Sequence, residues 1–117
     1  MGRLSTHVLD TADGLPAQGM KLVLERREGA NWVSLKTVHT DHDGRTGGPL
    51  LEGDALKQGA YRLTFHVADY FRARGQVLPE PPFLDTVPLE FGIADSQGHY
   101  HVPLLCSPWS YSTYRGS

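Results

Sequence analysis

The sequence predicts an all-β sandwich carrying one short helix, and three observations support that expectation. Runs of period-two alternation recur along the chain at spacings of roughly 10–15 residues. The segments between them are rich in Asp-Gly, Gly-Gly and proline, the chemistry of turns. One stretch alone has helix formers, an apolar pair and a glycine stop, which is too little helix for a βαβ pattern.

Taken in order, residues 4–10 (LSTHVLD) set Leu4, Thr6 and Val8 against Ser5, His7 and Leu9, the two faces of a strand. Residues 11–19 bring Asp-Gly, Pro and Gly close together and read as a turn. In 20–28, Met20, Leu22 and Leu24 alternate with Lys21, Val23 and Glu25. Residues 29–31 form a hairpin turn, and 32–40 are a further strand rich in β-branched residues. Residues 41–49 (DHDGRTGGP) break the pattern. Residues 50–59 read equally as an extended stretch with a loop or as one helical turn.

Residues 60–67 (AYRLTFHV) are a strand, and 68–75 (ADYFRARG) are the helix, stopped at Gly75. Three prolines among 76–85 make that segment a loop. Residues 86–93 and 99–106 are strands joined by 94–98, and 110–117 form the last strand. The total is seven or eight strands.

The 117 residues fit one domain, expected to span 1–117. A hydrophobic content of 39% and a charged content of 21% describe a globular chain. The net charge of −2 lacks the basic excess of a nucleic-acid binder. No run approaches the roughly 18 apolar residues of a membrane span. The N-terminal segment has no signal-peptide h-region, and Arg-Gly-Ser is not a peroxisomal address. Gly2 and Thr6 match the loose myristoylation pattern, but Thr6 belongs to a strand. The lone cysteine, Cys106, excludes an intrachain disulfide and suits a reducing compartment, so a cytoplasmic location is expected.

Common catalytic signatures are missing. There is no Gly-x-Ser-x-Gly elbow and no phosphate-binding glycine loop. Cys106 follows an apolar run and reads as a small buried residue rather than a nucleophile. His99 and His101 form His-x-His, which in a strand turns both rings to one face, and Asp41, His42 and Asp43 are a second set of metal-ligand types. His-x-His arises often by chance and no third ligand is fixed by spacing, so no metal or other cofactor is expected. His39 and His66 read as strand-edge residues and His42 as solvated. His7, Arg45 and Arg115, each taken alone, read as a strand histidine and two solvated charges.

Four stretches together resemble a known family: LSTHVLD (4–10), DGRT (43–46), HYHVPLL (99–105) and SPWSYSTYRGS (107–117). They are similar to the 5-hydroxyisourate hydrolases of the transthyretin-like family, in register over essentially the whole chain. The Tyr-Arg-Gly-Ser ending is the most specific mark. Transthyretin, the hormone carrier with the same fold, shares VLD and the aromatic-rich SP.SYST run but lacks the histidines, the arginine and that ending. Trp109 departs from the smaller aromatic or other residue of many members, outside the motif positions.

The resemblance implies an eight-stranded transthyretin-like sandwich with a short helix after the fifth strand. It implies a homotetramer, a dimer of dimers, with active sites in the channel between dimers. Catalytic roles carry over to His7, Arg45, His101 and Ser117, and substrate contacts to His7, Arg45, Tyr114, Arg115 and Gly116. A C-terminal extension is expected to intrude on that channel. Parity alone does not choose His101 over His99; the family register does. The implied reaction converts 5-hydroxyisourate into 2-oxo-4-hydroxy-4-carboxy-5-ureidoimidazoline during urate degradation, by attack of water on a cyclic amide carbonyl. Two imidazoles would divide the base and acid roles, and Arg45 would stabilise the oxyanion. Arg115 would either steer the anionic substrate or brace the terminus, and the terminal carboxylate would turn toward a cation. The alternative is a non-catalytic transthyretin-like carrier of a small ligand, which calls for an apolar pocket.

Overall fold

A computed structural model describes residues 1–116. Its nine strands are β1 (Arg3–Asp10), β2 (Leu15–Pro16), β3 (Lys21–Glu28), β4 (Asn31–His39), β5 (Leu51–Glu52), β6 (Gly59–His66), β7 (Thr86–Ile93), β8 (His99–Cys106) and β9 (Tyr111–Thr113). A 3₁₀ turn occupies Gly53–Ala55, and helix α1 runs Val67–Ala73. The strands form two sheets. One has the order β2-β1-β8-β9, with β5 also pairing β1; the other is β4-β3-β6-β7. Setting aside the two-residue β2, eight strands remain and α1 follows the fifth of them, the arrangement the resemblance implies. Residues 50–59 resolve as both readings in succession, a two-residue strand and then a 3₁₀ turn. The last strand is shorter than 110–117, since pairing with β8 ends at Thr113 and resumes only as a single bridge between Gly116 and His101.

Alternation explains the layers. Leu4 and Val8 of β1, Leu22 and Leu24 of β3, Leu63 and Phe65 of β6 and Leu104 of β8 are fully buried between the sheets. Each such side chain contributes about 1.5–3 kcal/mol through burial. Thr6 shares this inner face, and its buried hydroxyl is satisfied by donating to the Val102 carbonyl at 2.7 Å. Ser5, His7 and Leu9 stay half-buried on the opposite, outer face. The placement that matters most is the pairing of β1 with β8. The strands run parallel, with Ser5 opposite His101 and His7 opposite Pro103. Residues 96 apart in sequence thus become neighbours on one outer face.

Helix α1 buries Val67, Ala68, Tyr70 and Phe71. The Tyr70 hydroxyl donates to the buried Asp10 carboxylate at 2.8 Å, and Arg74 Nε donates to Asp13 at 2.9 Å. This polar latch ties the helix to the far end of β1. Burial and the Asp10 hydrogen bond raise the Tyr70 phenol well above its ordinary value. No helix among the described residues is long and apolar enough to cross a membrane.

Candidate active site

His101 stands on the outer face of β8, half-buried, with its Nδ1 2.8 Å from the Ser5 hydroxyl of β1. Its pKa lies below the ordinary imidazole value, first because burial disfavours the cation and then because Arg45 and His7 are close. Those two influences place His7, Arg45 and His101 in one electrostatic neighbourhood. Both causes favour the neutral imidazole, the form that can accept a proton.

His7 is two residues beyond Ser5 on the same face of β1. Its Nε2 lies 2.8 Å from the main-chain carbonyl of Asp43. A carbonyl only accepts, so Nε2 carries the proton, and in the neutral ring the lone pair sits on Nδ1. The turn that holds His7 also presents Arg45. Asp41 Oδ1 accepts the backbone N–H groups of Asp43 and Arg45, and these bonds, that of Arg45 above all, hold its carboxyl below the usual range. Gly44 locks the turn to β1. Its carbonyl accepts the Val8 N–H at 2.8 Å and its φ is +75°. A Cβ at this glycine would run into the Val8 carbonyl oxygen. The turn residues Asp41, His42 and Asp43 gather ligand-type atoms within 4.8 Å of one another. Asp41 is already committed to building the turn.

Arg3, Ser5, Arg45, His99, Tyr100 and His101 line a cavity of about 330 Å³. His99 shares the face, as strand parity requires, but it is exposed and its Nε2 bonds the Met1 carbonyl at 3.1 Å. The terminal segment divides around β8. The Gly116 N–H donates to the His101 carbonyl at 2.7 Å, and a Cβ at Gly116 would lie 2.7 Å from His101 Cδ2. The backbone here lies against the imidazole, where no side chain fits. Arg115 turns the other way: its guanidinium stacks 4.1 Å from the centre of the Tyr100 ring and donates to the His99 carbonyl at 3.1 Å. These contacts hold the terminal segment against β8. Tyr114 and Arg115 line a separate, larger cleft of about 440 Å³ with Phe91 and Val102, which holds neither histidine. The expected roles of Ser117 and its carboxylate lie outside the described residues.

Sequence reasoning did not single out Ser5 or Arg3. Their parity with His7 was readable, but the parallel partner strand that gives them a role was not. Cys106, read as a buried residue, is fully buried, and burial pushes its thiol up to about 12. It takes no part in this face.

The fold and the site together define a two-sheet β-sandwich that gathers imidazole and guanidinium groups on one outer face. Residues 4–116 match the HIUase/Transthyretin family, and the chain belongs to it. The chain is 60% identical over 116 residues to 5-hydroxyisourate hydrolase 2 of Rhizobium meliloti (strain 1021), covering 99% of this chain and 97% of that one. Among solved structures, (S)-allantoin synthase superposes with a TM-score of 0.94 at 47% identity over 99% of this chain, which spans 44% of that longer one. The Klebsiella pneumoniae 5-hydroxyisourate hydrolase superposes with a TM-score of 0.82 at 33% identity over the full length of both.

Proposed function

We propose that the protein, as one domain over 1–117, hydrolyses 5-hydroxyisourate to 2-oxo-4-hydroxy-4-carboxy-5-ureidoimidazoline in urate degradation. The observation that carries this reading is the polar cavity in which His101, held 2.8 Å from Ser5 through Nδ1, stands with Arg3 and Arg45. Water adds to a ring carbonyl, giving up a proton to an imidazole. The carbonyl oxygen becomes an oxyanion facing the Arg45 guanidinium. Collapse breaks the C–N bond, the leaving nitrogen takes a proton from an imidazolium, and a carboxylate and a ureido group result. His7 presents Nδ1 as its basic nitrogen, because Nε2–H is held by the Asp43 carbonyl. Imidazole bases near their own pKa typically contribute about 10²–10⁴-fold. Gly116 allows close approach to His101, and Ser117 completes the substrate contacts in this reading; Tyr114 and Arg115, which line the neighbouring cleft, would reach substrate from another copy in the tetramer. The chemistry uses an activated amide, water and side chains, without metal or organic cofactor.

The cavity suits a small polar heterocycle. A carrier for an apolar ligand would line it differently from two arginines, two histidines and a serine. We also propose that four copies assemble as a dimer of dimers, with sites in the channel between dimers. Supporting this, β7 and β9 are sheet edges in a single chain, and the histidine face is the outer surface of its sheet. Open strand edges are templates for pairing with another chain. The lone buried Cys106 fits a cytoplasmic, reducing compartment.

The test generates 5-hydroxyisourate in place from urate and follows the decay of its ultraviolet absorbance. Acceleration over the spontaneous rate is expected; its absence overturns the hydrolase reading. Light scattering should give about four chain masses, and a single chain mass would remove the tetramer.

A further inference from the structure

We infer that Ser5 is the positioning residue of His101: its hydroxyl accepts the Nδ1–H, fixing the ring and leaving the Nε2 lone pair for the reaction. The inference rests on the hydrolase reading for its kinetic arm and on geometry alone for its spectroscopic arm.

The 2.8 Å contact joins Ser5 Oγ to Nδ1, across a parallel strand pair that places the two residues directly opposite. Both backbones are held by the β1–β8 ladder, so the hydroxyl meets the ring from a fixed origin. The remaining ring nitrogen, Nε2, has no protein hydrogen bond among the described residues. A serine hydroxyl can donate or accept, so distance alone does not say where the proton sits. Charge decides. Arg3 and Arg45 line the same cavity as His101, and Arg45 is close enough to oppose its protonation. A lone pair facing guanidinium groups is favoured over an N–H dipole facing them. The proton therefore belongs on Nδ1, donated to Ser5, and the Ser5 hydroxyl hydrogen is left free to point into the cavity. A histidine held through Nδ1 has one tautomer and one orientation.

The kinetic consequence has a sign. A hydrogen bond from Nδ1–H is stronger when the ring is charged, so Ser5 favours the imidazolium that forms during proton transfer. Removing the hydroxyl lowers the His101 pKa further and loosens the ring. Ser5→Ala is expected to lower kcat about 10–100-fold, the usual cost of removing an orienting partner from a functional histidine. KM should change little, and the acid limb of the pH profile should move to lower pH. Ser5→Thr keeps the hydroxyl on a strand-compatible residue and should restore most of kcat. Multiple-bond ¹⁵N correlation on the wild-type protein above pH 7 should show the His101 ring protonated at Nδ1, an outcome independent of any substrate.

An unchanged kcat and acid limb in Ser5→Ala, in a wild-type background that turns over 5-hydroxyisourate, would overturn the inference. So would a ring protonated at Nε2, or a Ser5→Thr variant no better than Ser5→Ala. A wild-type protein without turnover defeats the hydrolase reading instead and leaves the tautomer assignment to the spectrum.

Discussion

At the scale of single residues, the site is a set of small decisions about protons and space. His101 has a lowered pKa, so it loses basicity only below the ordinary imidazole value of about 6.5. In the proposed mechanism, protonation removes an acceptor imidazole, so kcat/KM should hold steady through neutral pH and fall as pH drops through that lowered value. His101→Asn keeps a polar side chain of similar reach but cannot exchange a proton. It should lose about 10²-fold or more in turnover while the circular dichroism spectrum stays unchanged. Full activity in that variant would take His101 out of the chemistry. Gly116→Ala tests space instead of charge. The added Cβ would sit 2.7 Å from His101 Cδ2, so either the ring or the terminal segment must move. A loss of turnover of at least about 10-fold with an unchanged urea midpoint is expected, because a misplaced group costs rate before it costs fold.

At the scale of elements, the alternating strands were readable because each buries one face, and that requirement writes period two into β1, β3, β6 and β8. The two-residue β2 and β5 leave no such trace, since two residues are too few to show an alternation, even though Leu51 of β5 is buried. The expected last strand, 110–117, is longer than β9. The alternation of serine with aromatics ends at Ser112, and the backbone leaves the ladder after Thr113 and returns only at Gly116. His7, Arg45 and His101 entered the site through a resemblance. No local pattern shows that β1 and β8 lie side by side in parallel, which is why the sequence does not reveal the role of Ser5. The helix adds a test of its own. Tyr70→Phe removes the donor that reaches the buried Asp10, leaving that carboxylate short of a partner. A loss of about 1–3 kcal/mol in urea unfolding is expected, with little change in kcat, since the latch lies at the end of β1 beyond His7. Deleting residues 114–117 should do the reverse. The brace of Arg115 on Tyr100 and the Gly116 contact to His101 are both peripheral to the core, so turnover should collapse while the unfolding midpoint moves little.

At the scale of the whole molecule, the balance of charge runs against the site. The chain carries a net charge of −2, so its distant field weakly repels an anion. The cavity nevertheless gathers Arg3 and Arg45 beside His101, whose pKa is lowered. Capture of an anionic substrate therefore depends on short-range focusing by two guanidinium groups rather than on overall attraction. Such focusing is screened by salt, with a Debye length of about 10 Å at 0.1 M and about 3 Å at 1 M. Raising ionic strength from about 0.01 M to about 0.5 M should lower kcat/KM several-fold, because encounter is weakened. It should leave kcat nearly constant, because a bound oxyanion beside Arg45 is shielded from bulk ions. Arg3→Gln should flatten that salt dependence, since it removes one of the two focusing charges without touching either imidazole. The measurement is a series of initial rates at fixed pH across a sodium chloride gradient. A kcat/KM indifferent to salt, or one that rises with it, would mean that overall repulsion governs encounter and that the cavity cations act only after the substrate has bound.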